Sequence, residues 1–302
     1  MLSRLLRRLV AVCLGAMVIL LFGVGTSSPL WAAYLVMAAL SVFGVTLALQ
    51  CAMAAHANRH DLVPPASALQ LLRAWLREAW VAAKVFVWWQ PFRSNKYPDR
   101  LPDSASAPTS RGIVFVHGFF CNRGVWNAWY PVLNSKQIPY AAINLEPIFT
   151  SIDEYADLLN HAVDLMYDRT GQKPLIIGHS MGGVVVRAWL RASSTDSKVH
   201  RIVTIGSPHH GTRLGLWAPS RLDNIANAHQ MRFGGQWLRN LAQLEVPIRR
   251  SMFVCFYSNC DNIVFPATSA TLADADNRHV AGLPHLAMAL DKSIIEQSIA
   301  LL

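Results

Sequence analysis

Three residues, in the order Ser180, Asp261 and His285, carry the chemistry this sequence can do. Ser180 stands in Gly178-His179-Ser180-Met181-Gly182, with the apolar run Leu175-Ile176-Ile177 before it and Gly183-Val184-Val185-Val186 after it. The pattern reads as a buried strand, a sharp turn and the start of a helix. A G-x-S-x-G turn needs small flanking residues, because a larger side chain would collide with the neighbouring strand or helix. It lifts the serine hydroxyl above the sheet edge at a helix N-terminus, where developing negative charge is favoured. A nucleophilic serine also needs a base, a carboxylate to orient that base, and donors for the oxyanion. Asp261 follows the apolar run Met252–Tyr257 after a Ser258-Asn259-Cys260 turn, and His285 sits in Gly282-Leu283-Pro284-His285-Leu286. Serine, then acid, then histidine, each just past a strand, is one of the chain orders in which this chemistry is found. Taken singly, Asp261 could be a surface-turn residue and His285 a solvated one; position and order favour the catalytic role. The oxyanion donors expected are the backbone N–H groups of Met181 and of Phe119 in His117-Gly118-Phe119-Phe120, with Phe120 next in line. His117 and His179 read as structural.

The elements that must position these residues alternate along residues 111–302. Expected strands cover 112–116, 140–145, 174–177, 199–205, 251–257 and 278–282, with helices over 125–135, 152–170 and 182–192 and a last helix at the C-terminus. Gly171 closes the second helix as a C-cap. Strand–helix alternation implies an α/β class with a mostly parallel central sheet covered on both faces. Between two strands, Leu214–Arg250 carries Trp217, Met231, Phe233, Trp237 and Leu241. These apolar residues could wall a substrate pocket or simply pack a surface helix.

The first 110 residues differ from the rest. Hydrophobic residues make up 53% of the 302-residue chain and charged ones 15%, too apolar a balance for an ordinary soluble domain. The excess is local: no Asp, Glu, Lys or Arg lies between Leu9 and Asn58. One helix of that length would run about 75 Å, against a hydrocarbon core of about 30 Å. Gly23-Val24-Gly25-Thr26-Ser27-Ser28-Pro29 offers the turn. Residues 1–61 are therefore expected to form a transmembrane helical hairpin, with spans near 9–25 and 30–54. A cleaved signal peptide would account for the first span and leave the second unexplained. Arg4, Arg7 and Arg8 before it, and Arg59, Arg73 and Arg77 after it, place both ends in the cytoplasm by the positive-inside rule. Residues 62–110 read as an amphipathic helix over 66–90 and a linker over 95–110. Gln70, Arg73, Arg77 and Lys84 share one arc of that helix, and Leu69, Leu72, Trp75 and Leu76 lie elsewhere on it. Such a face suits a membrane interface or a protein surface equally.

The net charge of +9 divides as +6 over residues 1–110 and +3 over 111–302. The excess beside the apolar segment points to anionic lipid rather than nucleic acid. Cys13, Cys51, Cys121, Cys255 and Cys260 are an odd set, two of them inside the expected spans, and read as free thiols. Cys255 and Cys260 could pair only if the domain lay outside the cytoplasm.

Five ordered blocks carry a family resemblance. They are Val116-His117-Gly118-Phe119, the Ser180 turn extended to Gly183, Ile205-Gly206-Ser207-Pro208-His209-His210-Gly211-Thr212, Tyr257-Ser258-Asn259-Cys260-Asp261-Asn262-Ile263-Val264, and Gly282-Leu283-Pro284-His285-Leu286. Together they resemble bacterial triacylglycerol lipases and their esterase relatives, over about residues 111–302. The resemblance implies an α/β-hydrolase fold, with Ser180, Asp261 and His285 as triad and Phe119 and Met181 as oxyanion donors. Larger lipases of this kind bind calcium through an aspartate soon after the histidine; here Leu286-Ala287-Met288-Ala289 follows, so no metal is expected, and no organic cofactor is needed. The reading is a serine hydrolase of acyl or lipid esters at the bacterial inner membrane, with its catalytic domain cytoplasmic and Phe120, Trp217, Met231, Phe233 and Trp237 lining the substrate. A thioesterase or acyltransferase would use the same triad, and a membrane scaffold on the same fold would not use it.

Overall fold

The computed structural model describes residues 1–19, 22, 29–103, 110–192, 198–216 and 225–302. Its centre is a six-stranded sheet, β1 (Ile113–Val116), β2 (Tyr140–Ile143), β3 (Leu175–His179), β4 (Arg201–Ile205), β5 (Phe253–Tyr257) and β6 (Asp276–His279), in the order β2-β1-β3-β4-β5-β6. Every neighbouring pair is parallel. Parallel strands need crossovers and helices on both faces, which is why β1, β3 and β4 are almost wholly apolar and buried. Side chains alternate between faces. Ile113, Phe115, Ile177 and Val203 join Trp126, Trp129 and Met288 on one side, while Val114, Val116, Ile176 and Ile202 join Val184, Trp189 and Leu159 on the other.

Three helices precede the sheet: α1 (Leu2–Ile19), α2 (Pro29–Ala57) and α3 (Ala68–Ala82). A π-helical stretch, Ala83–Trp89, leads from α3 into α4 (Gln90–Phe92). Between β1 and β2 the chain makes a 3-10 stretch, Arg123–Ala128, and α5 (Tyr130–Ser135). The single helix expected over 125–135 is thus broken, and α5 restarts with Pro131 in its first turn. Helix α6 (Ala156–Thr170) packs on β1 and β2 and ends at Gly171, whose φ of 66° is the left-handed cap expected there. Helix α7 (Met181–Ala192) starts directly after the serine. Then come α8 (Ala226–Gln230), α9 (Gln236–Gln243), α10 (Pro247–Arg250), α11 (His285–Met288) and α12 (Lys292–Ile299). The last strand, at the sheet edge, begins two residues earlier than expected and ends at His279.

The transmembrane hairpin expected for residues 1–61 is not shown. Among the described residues no helix is long and apolar enough to cross a membrane. The ends of α1 and α2 pack against protein, while most described α1 residues from Leu9 onward are exposed. Leu2 and Leu6 are buried with Ile148 and Phe120, and Arg7 Nε donates to Pro91 O at 2.6 Å. The C-terminal part of α2 buries Leu47, Cys51 and Ala54 and is tied to α3 by Trp75 Nε1, which donates to Gly44 O at 2.8 Å. Helix α3 has two opposed faces. Ala74, Glu78, Val81 and Ala82 are buried against the domain, while Leu69, Leu72, Leu76 and Trp80 are exposed.

Candidate active site

Strand order reverses between β1 and β3, so a crevice opens at their C-terminal ends. The turn between β3 and α7 reaches that crevice. Ser180 takes a φ of 54°, a left-handed conformation costing an L-residue about 1–2 kcal/mol. The glycines around it are required by contact. A Cβ on Gly182 would lie 2.1 Å from Val116 O, and one on Gly178 would lie 2.7 Å from Gly183 N. Gly118, after β1, comes so close that a Cβ there would sit 2.8 Å from Ser180 Cβ. This brings the His117–Phe120 turn beside the serine.

Asp261 and His285 meet across the ends of β5 and β6. His285 Nδ1 lies 3.0 Å from each carboxylate oxygen of Asp261. Asp261 Oδ1 also accepts from the N–H groups of Ile263 at 2.9 Å and Val264 at 2.8 Å, so the carboxylate cannot swing away. Both side chains are buried. Burial alone would lower the His285 pKa, but the charge and hydrogen bond of Asp261, helped by the charge of Glu78, carry it above 6.5. Gly206, with φ 56° at the end of β4, completes the arrangement: a Cβ there would stand 3.0 Å from Asp261 Oδ2 and 3.2 Å from His285 Nδ1.

Ser180 and His285 share the wall of a cavity of about 340 Å³, with Phe119 and Phe120 on the same wall. Met181 is the first residue of α7, so its N–H has no helical acceptor. His117 is neutral and structural in its bonding: Nδ1 donates to Gly118 O at 2.9 Å, Nε2 accepts from Leu145 N at 3.0 Å, and burial lowers its pKa to about 4. His179 is also held neutral by burial, and its Nε2 donates to the His285 carbonyl at 3.3 Å. Behind the serine, Arg187 of α7 makes a fully buried bidentate pair with Glu245, at 2.7 and 2.8 Å, and donates to His209 O.

Of the other expected substrate residues, Met231, Phe233 and Trp237 do not line this cavity. Met231 packs in the core cluster under α7, and Trp237 Nε1 donates to Asp153 at 2.9 Å. Phe233 borders a separate cavity beside Arg213 and the end of α2. Trp217 is outside the described residues. Leu214, at the start of the expected Leu214–Arg250 segment, does line the cavity, and further wall comes from the N-terminal helices: Leu47 and Gln50 of α2, Glu78 of α3, and Phe86 of the π-helical stretch. Of these, only Glu78 had a signal in the sequence, as the sole acid between Asp61 and Asp99 on an otherwise apolar and basic segment.

Comparisons with known proteins bear on the fold. Residues 137–271 match the family model of the PGAP1-like alpha/beta domain. Among solved structures, mature Bacillus licheniformis lipase BlEst2 is similar over 68% of this chain and 96% of its own, at 19% identity and a TM-score of 0.56. This is an α/β-hydrolase fold. Aspergillus fumigatus lipase B shares the hydrolase fold at 18% identity and a TM-score of 0.50, over 62% of this chain and 49% of its own length. No curated protein matches the sequence. In the hydrolase fold of this chain, Ser180 follows β3, Asp261 follows β5 and His285 follows β6.

Proposed function

We propose that this protein is a serine hydrolase that cleaves carboxylic esters of acyl or lipid type. The observation that carries the reading is the pairing of His285 Nδ1 with both oxygens of Asp261, while His285 shares an apolar-walled cavity with a strained Ser180. With Nδ1 bonded to the carboxylate, Nε2 is left as the base. Ser180 Oγ attacks the ester carbonyl as Nε2 takes its proton, and the oxyanion is received by the N–H groups of Phe119 and Met181. The alcohol leaves with that proton, giving an acyl-enzyme. Water, deprotonated by His285, then releases the acid and restores the serine. Nothing in these steps calls for a metal or an organic cofactor. The lipase names of the fold neighbours and the apolar wall of Leu47, Phe86, Phe119 and Phe120 favour an acyl substrate.

The exposed faces of the N-terminal helices support work at a lipid surface. Val12, Val18 and Ile19 of α1, Trp31, Tyr34, Val42 and Leu49 of α2, and Leu69, Leu72, Leu76 and Trp80 of α3 all face outward. This apolar area is far larger than scattered surface residues make, and Arg4, Arg8, Arg59, Arg73 and Lys84 flank it in sequence. That combination suits anionic phospholipid headgroups over acyl chains. The free state of Cys51, Cys121, Cys255 and Cys260 suits the cytoplasmic face.

A fluorophosphonate probe tests the catalytic reading. Wild type should be labelled and should hydrolyse p-nitrophenyl acyl esters, and Ser180→Ala should lose both while remaining folded. A folded wild type that is neither labelled nor active would refute it.

A further inference from the structure

Glu78 lies deep under the catalytic histidine although it belongs to α3, more than 200 residues away in sequence. Its Oε1 accepts from the Leu286 N–H at 2.9 Å and its Oε2 from the Ala287 N–H at 3.1 Å. These N–H groups belong to the first turn of α11, which begins at His285 and runs only four residues. So short a helix has almost no rigidity of its own, and its free N–H groups need acceptors. The third N–H of the turn, that of His285, donates to Asn262 Oδ1 at 3.2 Å, and Asn262 Nδ2 donates to Gln50 Oε1 of α2 at 3.0 Å. Two of the three N-terminal helices therefore reach the histidine turn, α3 directly and α2 through Asn262.

Glu78 is only 4% exposed. A buried, ionisable group is retained at a cost unless it bonds well, and a glutamine or an apolar side chain would fill the same space. The titratable groups that face Glu78 are His285, Asp261 and Cys51. Of these, only His285 can carry positive charge. Burial pushes the Glu78 carboxyl up to about 7, opposed by the two N–H donors and by His285.

We propose that Glu78 is a positioning residue for His285: it clamps the backbone of the histidine turn and sets a second negative charge beside the imidazolium that forms during catalysis. The proposal rests on the reading of Ser180, Asp261 and His285 as a triad. It makes the N-terminal helices part of the active site and not only a lipid-facing appendage.

The test compares full-length wild type with Glu78→Gln, which keeps size and one acceptor but removes the charge. Activity on a water-soluble short-chain ester is normalised to sites titrated by fluorophosphonate. Misplacing a catalytic group by about 1 Å costs about a hundredfold, so kcat per titrated site should fall about tenfold to a hundredfold with KM within about twofold. The acid limb of the kcat profile should move to lower pH, because His285 loses a neighbour that raises its pKa. A purely structural role would reduce the number of titratable sites and leave kcat per site and the acid limb unchanged; that result overturns the proposal. Should Glu78→Gln fail to fold, Glu78→Asp decides instead: its shorter side chain keeps the charge but cannot hold both N–H groups of the turn, so kcat per titrated site should fall, and an unchanged kcat per site would overturn the proposal. A wild type without label at Ser180 would signal failure of the hydrolase reading itself.

Discussion

Gly206 offers a direct test of how tightly the fold holds the Asp261–His285 pair. Replacing it with alanine introduces two separable effects. The first is backbone strain: at a φ of 56°, an L-residue costs about 1–2 kcal/mol. For a chain of this size that lowers the thermal midpoint by roughly 2–8 °C. The second is contact. The new Cβ would lie 2.9 Å from Met288 Cε, 3.0 Å from Asp261 Oδ2 and 3.2 Å from His285 Nδ1. The methionine end can turn away, but the carboxylate is fixed by the Ile263 and Val264 N–H groups. It must shift by about 0.4 Å to regain ordinary contact. If 1 Å costs about a hundredfold in rate, 0.4 Å costs roughly three- to tenfold. Gly171→Ala is the control, since its φ is 66° and a Cβ there meets nothing within 4 Å. Thermal melts and kcat on a soluble ester should show similar destabilisation in the two variants, with loss of rate in Gly206→Ala alone. Equal rates in both variants would refute the argument that Gly206 keeps space for the acid–base pair.

Two further outcomes follow from the same geometry. Protonated His285 cannot accept the Ser180 proton, and its pKa is raised above 6.5, so kcat/KM should be half lost on the acid side at a pH above 6.5; a midpoint below 6 would mean that Asp261 does not support the imidazolium. In flotation assays the protein should rise with vesicles containing anionic phospholipid and less so as salt increases. The double variant Leu76→Ser, Trp80→Ser should float poorly while hydrolysing a soluble ester at the wild-type rate; equal flotation of the two would remove α3 from the lipid-facing surface.

Much of the catalytic domain was legible because its signals are local. Strand β3, the Ser180 turn and α7 form one continuous stretch of chain, where apolar runs and glycine spacing specify the geometry directly. Strands β1 to β5 follow from short apolar runs between turn residues, whereas β6 is the polar edge strand Asp276–His279, and Gly171 marks a helix end because a left-handed residue there satisfies the last carbonyls. The order Ser180, Asp261, His285 was readable without knowing any distance. That His285 Nδ1 meets both oxygens of Asp261 is a product of the parallel sheet, which gathers strand ends that lie far apart in sequence.

The sequence by itself determined the α/β class and an N-terminal segment too apolar to be ordinary surface, and it singled out Ser180, Asp261 and His285 as the candidates for catalysis. It could not determine what that segment touches. Hydropathy sums side chains along the chain and is blind to protein partners, so all of α2 reads as a membrane span although its C-terminal part buries Leu47 and Cys51 against protein, and α1 is anchored by Leu2 and Leu6, ahead of its apolar run. For the same reason the substrate wall was sought in Leu214–Arg250, near the strands in sequence. Of that segment Leu214 lines the cavity, and tertiary structure adds Leu47, Gln50, Glu78 and Phe86. Contacts spanning some 200 residues, such as Glu78 with Leu286, leave no periodicity or spacing to read, because they arise only when the packed sheet brings distant helices onto the same edge.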